Sequence, residues 1–403
     1  MLLQLVWYAL KECPREILKR DIYVVCNDTL VENPKIVTYT EDILKKIEKA
    51  AVEQGLPIRV VRTSPKLEDT FWVNLIGKGY PAPNNAFRWC TERLKISPTT
   101  EFIKNKISEV GQAIILLGTR KEESAARSAS ITNHTKEGTR LRKHILPNAF
   151  VFSPIQDVKV TELWQYLNQV KSPWGADNKQ LNALYRNANG GDCPLVIDDT
   201  TPSCGNSRFG CWVCTVVKKD KSMEALILNG EEWMEPLVEI RDLLADHRND
   251  PEWRQPTRRD GTDGTGPYWP HKRAEILERL LKAQKEIRAT DETINLINYQ
   301  ELVAIQVTWY RDSIFNVSVA EIYNRVNGTE YSDNDFKDQM VFERQLLTEA
   351  CTERPDDVKM IEELLALQQT KILMVKARGL SNDLENYLDD VVKKEKKEMP
   401  HAH

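Results

Sequence analysis

A parallel α/β sheet with helices on both faces, followed by a mainly helical C-terminal part, is the fold class this sequence predicts. Three observations predict it. Between residues 21 and about 152, β-branched runs alternate with polar loops and stretches of helical periodicity; beyond Asp220 the strand-like runs stop; and 403 residues are enough for two domains, here divided at 220/221.

Taken in order, the start Met1 to Leu10 is apolar. The run Asp21-Ile-Tyr-Val-Val-Cys26 predicts a buried strand, Ile36 to Val52 an amphipathic helix, Ile58-Arg-Val-Val61 a second strand and Ala113-Ile-Ile-Leu-Leu117 a third. Past Asp220, amphipathic spacing predicts helices over 223–228, 233–247, 272–287, 300–310, 341–347 and 358–368. The glycine-rich stretch 248–270 fits no phosphate-binding loop and reads as a turn between domains. The charged end from Lys376 is expected to fray.

Four of the eight cysteines, Cys193, Cys204, Cys211 and Cys214, fall within 22 residues of a Gly/Pro-rich stretch. Thiolates at that density point to a soft metal centre. The last two form a C-x-x-C pair, but gaps of ten and six residues separate the others, unlike paired zinc knuckles. Tetrahedral zinc, an iron–sulfur cluster, a redox pair and buried free thiols all remain open on spacing alone.

Composition sets further bounds. No run is long and apolar enough for a membrane span, and the N-terminal apolar stretch lacks the basic residues of a signal peptide, which leads to the expectation of a cytoplasmic protein with reduced thiols. A net charge of −4 opposes nucleic-acid binding over the whole surface but leaves room for a local patch. Between residues 120 and 144 there are seven Lys or Arg against three acids. Within this stretch Arg120 and Arg127 can fork onto phosphate oxygens, and Gly118 allows close backbone approach. Cys90, flanked by Arg88, Arg93 and Lys95, is a candidate reactive thiol because adjacent cations lower a thiol pKa.

These residues carry a resemblance. Asp28-Thr29, Arg88-Trp-Cys90-x-x-x-Leu-Lys95, Gly118-x-Arg120-x-x-Glu123-Ser124-x-x-Arg127, Pro154-Ile-x-Asp157 and Leu163-Trp-x-Tyr-Leu167 resemble the phosphoadenosine phosphosulfate reductase family, of the adenine-nucleotide alpha hydrolase fold, over residues 21 to 220. The longer runs 67–80, 87–96 and 210–223, with Gly266-Pro-Tyr and the segment 272–281, are similar to the DndC-type sulfur-transfer subunits of DNA phosphorothioation.

The resemblance implies ATP-dependent replacement of a non-bridging DNA phosphate oxygen by sulfur. The implied partners are DNA, a cysteine desulfurase and the other subunits of the modification complex. It also implies a 4Fe–4S cluster on Cys193, Cys204, Cys211 and Cys214, or with Cys90 in place of one of the first two; a Cys90 left unligated would relay sulfur or simply pack. Asp28, Thr29, Gly118, Glu123 and Ser124 would line the nucleotide, with Arg120, Arg127 and Lys121 balancing phosphate charge.

One departure stands out. The pyrophosphate loop of the class, Ser-Gly-Gly-x-Asp-Ser, does not occur in these 403 residues, and Leu2–Leu10 resembles the helix that would follow it. The first strand and that loop are therefore expected to lie outside the sequence, and the chain as written to bind ATP poorly and to be inactive alone. Two other functions stay open. A small-molecule sulfonucleotide reductase would need a mobile C-terminal nucleophile, for which Cys351, in an acidic helical context, is a poor candidate. The other is a non-catalytic, zinc-stapled scaffold of a DNA-modification complex.

Overall fold

The computed structural model describes residues 1–134, 140–188, 210–258, 262–312 and 317–331, together with 351 and 361. The chain divides into two compact units, one of Met1–Lys66 and Pro83–Ala245, the other of Leu67–Ala82 and Asp246–His403.

The first unit is the α/β part. It runs α1 (Leu2–Glu12), β1 (Ile22–Asn27), α2 (Pro34–Glu53), β2 (Ile58–Thr63), α3 (Trp89–Thr91), a π-helical turn Glu92–Ile96, α4 (Ser97–Val110), β3 (Ala113–Leu116), α5 (Ala125–His134), β4 (Arg142–Lys143), β5 (Ala149–Phe152), α6 (Val160–Gln169), α7 (Asn178–Ala188), α8 (Lys221–Leu228) and α9 (Glu235–Asp246). Asn33 starts α2 by accepting a hydrogen bond from the Lys35 amide at 3.0 Å, with Pro34 in the first turn where its missing N–H costs nothing. Leu44, Ile47 and Ala51 then make one buried stripe, which joins Trp7 of α1 and Ile58 of β2 in a common core.

Strands β1 and β2 are parallel, in register from Ile22–Ile58 to Asn27–Thr63, and β3 runs parallel to β5. These match the predicted parallel α/β class. Two differences are found. Among the described residues the strands form two sheets, β1-β2 and β3-β5-β4, instead of one. The short β4 is antiparallel to β5, and neither was anticipated.

The second unit is helical, with α10 (Pro270–Arg288), α11 (Tyr299–Asp312) and α12 (Val319–Asn327). Leu67–Ala82 threads through it around a π-helical turn, Val73–Gly77: the Trp72 indole donates to the Leu296 carbonyl at 2.7 Å, and that of Trp309 to Ile76 at 3.0 Å. A capping box of Ser318 and Glu321 opens α12 and left-handed Gly328 closes it. The predicted helices 341–347 and 358–368 lie outside the described residues apart from position 361, which is helical.

The glycine-rich stretch 248–270 belongs to this second unit. Arg254 bridges Tyr268 and Thr257 bridges Asp263, while the buried Arg254 guanidinium caps the Gly266 carbonyl and lies 5.2 Å from the Tyr268 ring centre. A Cβ on Gly266 would lie 1.9 Å from the Thr257 carbonyl oxygen, a backbone atom that cannot swing aside. Gly266→Ala is expected to cost roughly 2–4 kcal/mol, by the mechanism of a forced backbone shift, read as a lowered urea midpoint for the helical unit.

Candidate functional site: a thiol cluster at the strand ends

The carboxyl ends of β1 and β2 are fastened to the helix that carries Cys90. Asn27, the last residue of β1, donates to the Lys95 carbonyl at 3.2 Å and accepts from the hydroxyls of Thr99, at 2.8 Å, and Thr63. Beyond it the chain turns sharply. One Asp28 carboxylate oxygen accepts the Leu30 amide at 2.9 Å, which supports Leu30 in the left-handed region (φ 63°), and the other pairs with Arg62 at 2.7 Å. Arg62 in turn holds Glu41 at 2.8 Å. Asp28 is thus committed to the turn and to Arg62.

That turn lays residues 31 and 32 against the cysteine segment. The Trp212 amide donates to the Val31 carbonyl at 3.0 Å, and Glu32 and Cys211 form an antiparallel bridge. Thr29 is fully buried, with its hydroxyl oxygen 3.4 Å from the Cys211 sulfur. The C-x-x-C pair closes a turn, the Cys214 amide donating to the Cys211 carbonyl at 3.0 Å, while buried Trp212 and Val213 anchor it. From behind, buried Arg241 of α9 donates to the Cys214 carbonyl at 3.1 Å and to that of Val217, and Thr215 donates to the Pro83 carbonyl at 2.6 Å.

Three thiols meet electrostatically in this region. Burial raises the Cys90 thiol pKa and the neighbouring Cys214 raises it further, with Thr91 and Lys95 pulling back in part. Burial likewise raises Cys211, opposed by Lys95 and Thr29 and reinforced by Glu32 and Cys90. The Glu32 carboxyl is itself pushed up, by burial first and then by Asp28. Thus the flanking cations expected to activate Cys90 are outweighed: Arg88 spends its guanidinium on Asn85, and burial dominates. Among the described residues no three such side chains converge closely enough to hold a single ion. Cys193 and Cys204 lie outside the described residues.

The second expected group is at the end of β3. Arg120 is only 6% exposed, with Glu122 and Glu123 each 3.8 Å from its guanidinium and the Val158 carbonyl accepting from it at 3.3 Å. Lys121 pairs with Asp157 at 2.5 Å, and Glu122 also accepts the Val160 amide at the start of α6. Ser124 ends this loop, and Arg127 follows in the first turn of α5. Arg120 therefore faces its own acids, so a phosphate would have to compete for it. A Cβ on Gly118 would make only ordinary contacts, with Leu2 and Ile155. Sequence reasoning missed Glu32 and Arg241 as neighbours of the C-x-x-C pair, and it placed Lys95 beside Cys90 but not beside Cys211; only the fold brings them there.

Residues 1–217 match the family model of the phosphoadenosine phosphosulfate reductase domain, and the chain belongs to that family. That family is of the adenine-nucleotide alpha hydrolase type, and sulfonucleotide or adenine-nucleotide chemistry is the family's. An uncharacterized protein of Methanocaldococcus jannaschii is 28% identical over 201 residues, which are 50% of this chain and 32% of that protein. The chain thus spans about a third of that relative's length. No described helix is long and apolar enough to cross a membrane.

Proposed function

We propose that this chain is a DndC-type sulfur-transfer subunit of DNA phosphorothioation, carrying a 4Fe–4S cluster. The observation that carries the reading is that Cys90 lies within electrostatic reach of Cys211 and Cys214, in the segment bridged to Glu32 beyond the end of β1. Cys90 is separated from the C-x-x-C pair by more than a hundred residues, and the fold still makes the three thiols neighbours. An all-sulfur set suits soft metals, and a cubane, which gives each ligand its own iron, tolerates sulfurs that do not converge on one point. In this reading Cys90, Cys211 and Cys214 supply three ligands and Cys193 or Cys204 the fourth. A cluster held there would supply one-electron redox capacity.

The chain's own part in the chemistry follows from its charges. A phosphodiester oxygen leaves poorly; adenylation by ATP, with release of pyrophosphate, turns it into the leaving group AMP, which an incoming sulfur nucleophile displaces. Lys121, Arg127 and a displaced Arg120 would balance phosphate charge at the β3 end. ATP binding in this class also requires a pyrophosphate loop, and the Ser-Gly-Gly-x-Asp-Ser pattern does not occur in residues 1–403. The sulfur would arrive from a cysteine desulfurase, with the other subunits of the complex supplying most of the DNA contact.

The test is iron and acid-labile sulfide analysis of anaerobically purified protein, with phosphorothioate detection in DNA from cells carrying the complete system. Iron with phosphorothioate supports the reading. Zinc without sulfide favours the stapled scaffold, and iron with sulfonucleotide reduction but unmodified DNA favours the reductase.

DNA contact has its own expected outcome. Arg140 and Lys143 are exposed, and Arg142 donates to the Ser153 hydroxyl at 2.8 Å from strand β4. Reversing all three to Glu is expected to weaken DNA binding and flatten its salt dependence, by about 0.9 in log–log slope for each phosphate that is no longer neutralised. An unchanged slope across a salt series removes the patch from the interface.

A further inference from the structure

Ile145, at the tip of the β4–β5 hairpin, is 93% exposed. Its turn is nevertheless held on several sides. The His144 amide donates to the Ala149 carbonyl at 2.9 Å, the Ala149 amide to the Leu146 carbonyl at 3.3 Å, and the Leu146 amide to Nδ1 of His144 at 3.1 Å. Asn148 adopts the left-handed conformation (φ 58°), which asparagine tolerates better than most residues, and Pro147 before it has its own φ fixed by its ring. Beneath the turn Ala149 and Val151 are buried, and Arg142 donates to the Ser153 hydroxyl at 2.8 Å. A branched apolar side chain is thus presented to solvent on a fixed support.

The residues around it indicate what it meets. Along the edge strand Leu141, Lys143 and Ile145 are exposed while Arg142 and His144 are half-buried, the alternation that puts the first three on one face. Arg140 is exposed as well, and no acid occurs from residue 140 to 156. An apolar tip set among cations suits a polyanion that also has an apolar interior, which is what stacked bases between two rows of phosphates offer.

We infer that Ile145 is a wedge for duplex DNA, inserting between adjacent base pairs while Arg140 and Lys143 hold the phosphates beside that step. The inference rests on the reading of this chain as a DNA-modifying subunit. Partial unstacking is costly; burial of the Ile145 side chain and the phosphate contacts offset it, and the braced turn loses little freedom on binding. The resulting kink takes the backbone off its regular path at the step where a phosphate oxygen is to be reached.

The experiment compares wild type, Ile145→Ala and Ile145→Leu, as the full chain alone and with the other subunits of the complex. The probe is a duplex with 2-aminopurine in place of several adenines and a donor and acceptor dye at its ends. Wild type at saturation is expected to raise the 2-aminopurine fluorescence and to shorten the end-to-end distance. I145A should lose both signals while keeping the salt dependence of binding, because the cations remain, and I145L should recover them. Unchanged thermal unfolding of I145A is expected at so exposed a position.

Salt-dependent binding by wild type with neither signal overturns the wedge and leaves the DNA reading intact, and signals that persist in I145A remove Ile145 from that role. An I145A chain that instead fails to assemble with the other subunits makes the tip a protein contact and also overturns the inference. Absence of DNA binding by the whole complex ends the DNA reading, and the wedge with it.

Discussion

Replacing Cys90 with Ser is expected to strip most of the iron from the protein and to abolish DNA phosphorothioation in the complete system. Cys214 helps to raise the Cys90 thiol pKa and Cys90 helps to raise that of Cys211, and a serine hydroxyl is a hard, poorly ionising substitute for a thiolate. Changes to outer-shell residues alone lower metal affinity about tenfold or more, so loss of a ligand should exceed that. Cys13→Ser, at the end of α1, is the matching control and should keep both iron and activity. Iron and sulfide content separate two of the roles that the sequence allows Cys90, ligand and sulfur relay. A C90S protein that keeps its iron but no longer modifies DNA makes Cys90 a sulfur relay; one that loses iron makes it a ligand. Unaltered thermal unfolding of the metal-free variant would show that the effect is not misfolding.

The α/β class was legible because β-branched runs such as Ile22–Asn27 and Ile58–Thr63 are flanked by polar loops, and because α2 carries a clean apolar stripe. The strand β5, Ala149–Phe152, escaped notice: four residues without a long alternating pattern give little periodicity to read, and its pairing with β3 is a long-range contact. The same limit applies to the site. The C-x-x-C pair is visible as spacing, whereas the approach of Cys90 depends on how Asn27 ties β1 to the Lys95 carbonyl and the Thr99 hydroxyl. Local charge was the misleading signal. Arg120 and the cations around Cys90 read from sequence as an anion site and an activated thiol. In the fold Arg120 turns inward to Glu122 and Glu123, and desolvation outweighs the cations at Cys90. Charge counted along a chain ignores burial, which sets both outcomes.

The helical unit should lose stability as pH rises from 4.5 to about 7, and Glu301→Gln should remove that loss. Glu301 is 1% exposed in the first turn of α11, in a reciprocal cap with Asn298: its carboxylate accepts the Asn298 amide at 3.1 Å, and the Asn298 side chain accepts the Glu301 amide at 2.9 Å. Burial pushes its pKa from 4.5 to about 7, with Asn298 and Thr70 relieving only part of the cost. Below pH 4.5 folded and unfolded chains both hold the proton, and the shift has no effect. Between 4.5 and about 7 the unfolded chain ionises while the folded one keeps its proton, so unfolding becomes steadily easier. Above that range the folded carboxyl ionises too, and the penalty levels off at no more than about 3 kcal/mol. Gln keeps an acceptor for the Asn298 amide and cannot ionise. At pH 8 its variant should be more stable than wild type by up to that amount, with no difference near pH 4.5. Hydrogen exchange of the α10 and α11 amides across this range measures it within the helical unit, and parallel pH curves for the two proteins would show that Glu301 ionises as an ordinary carboxyl does.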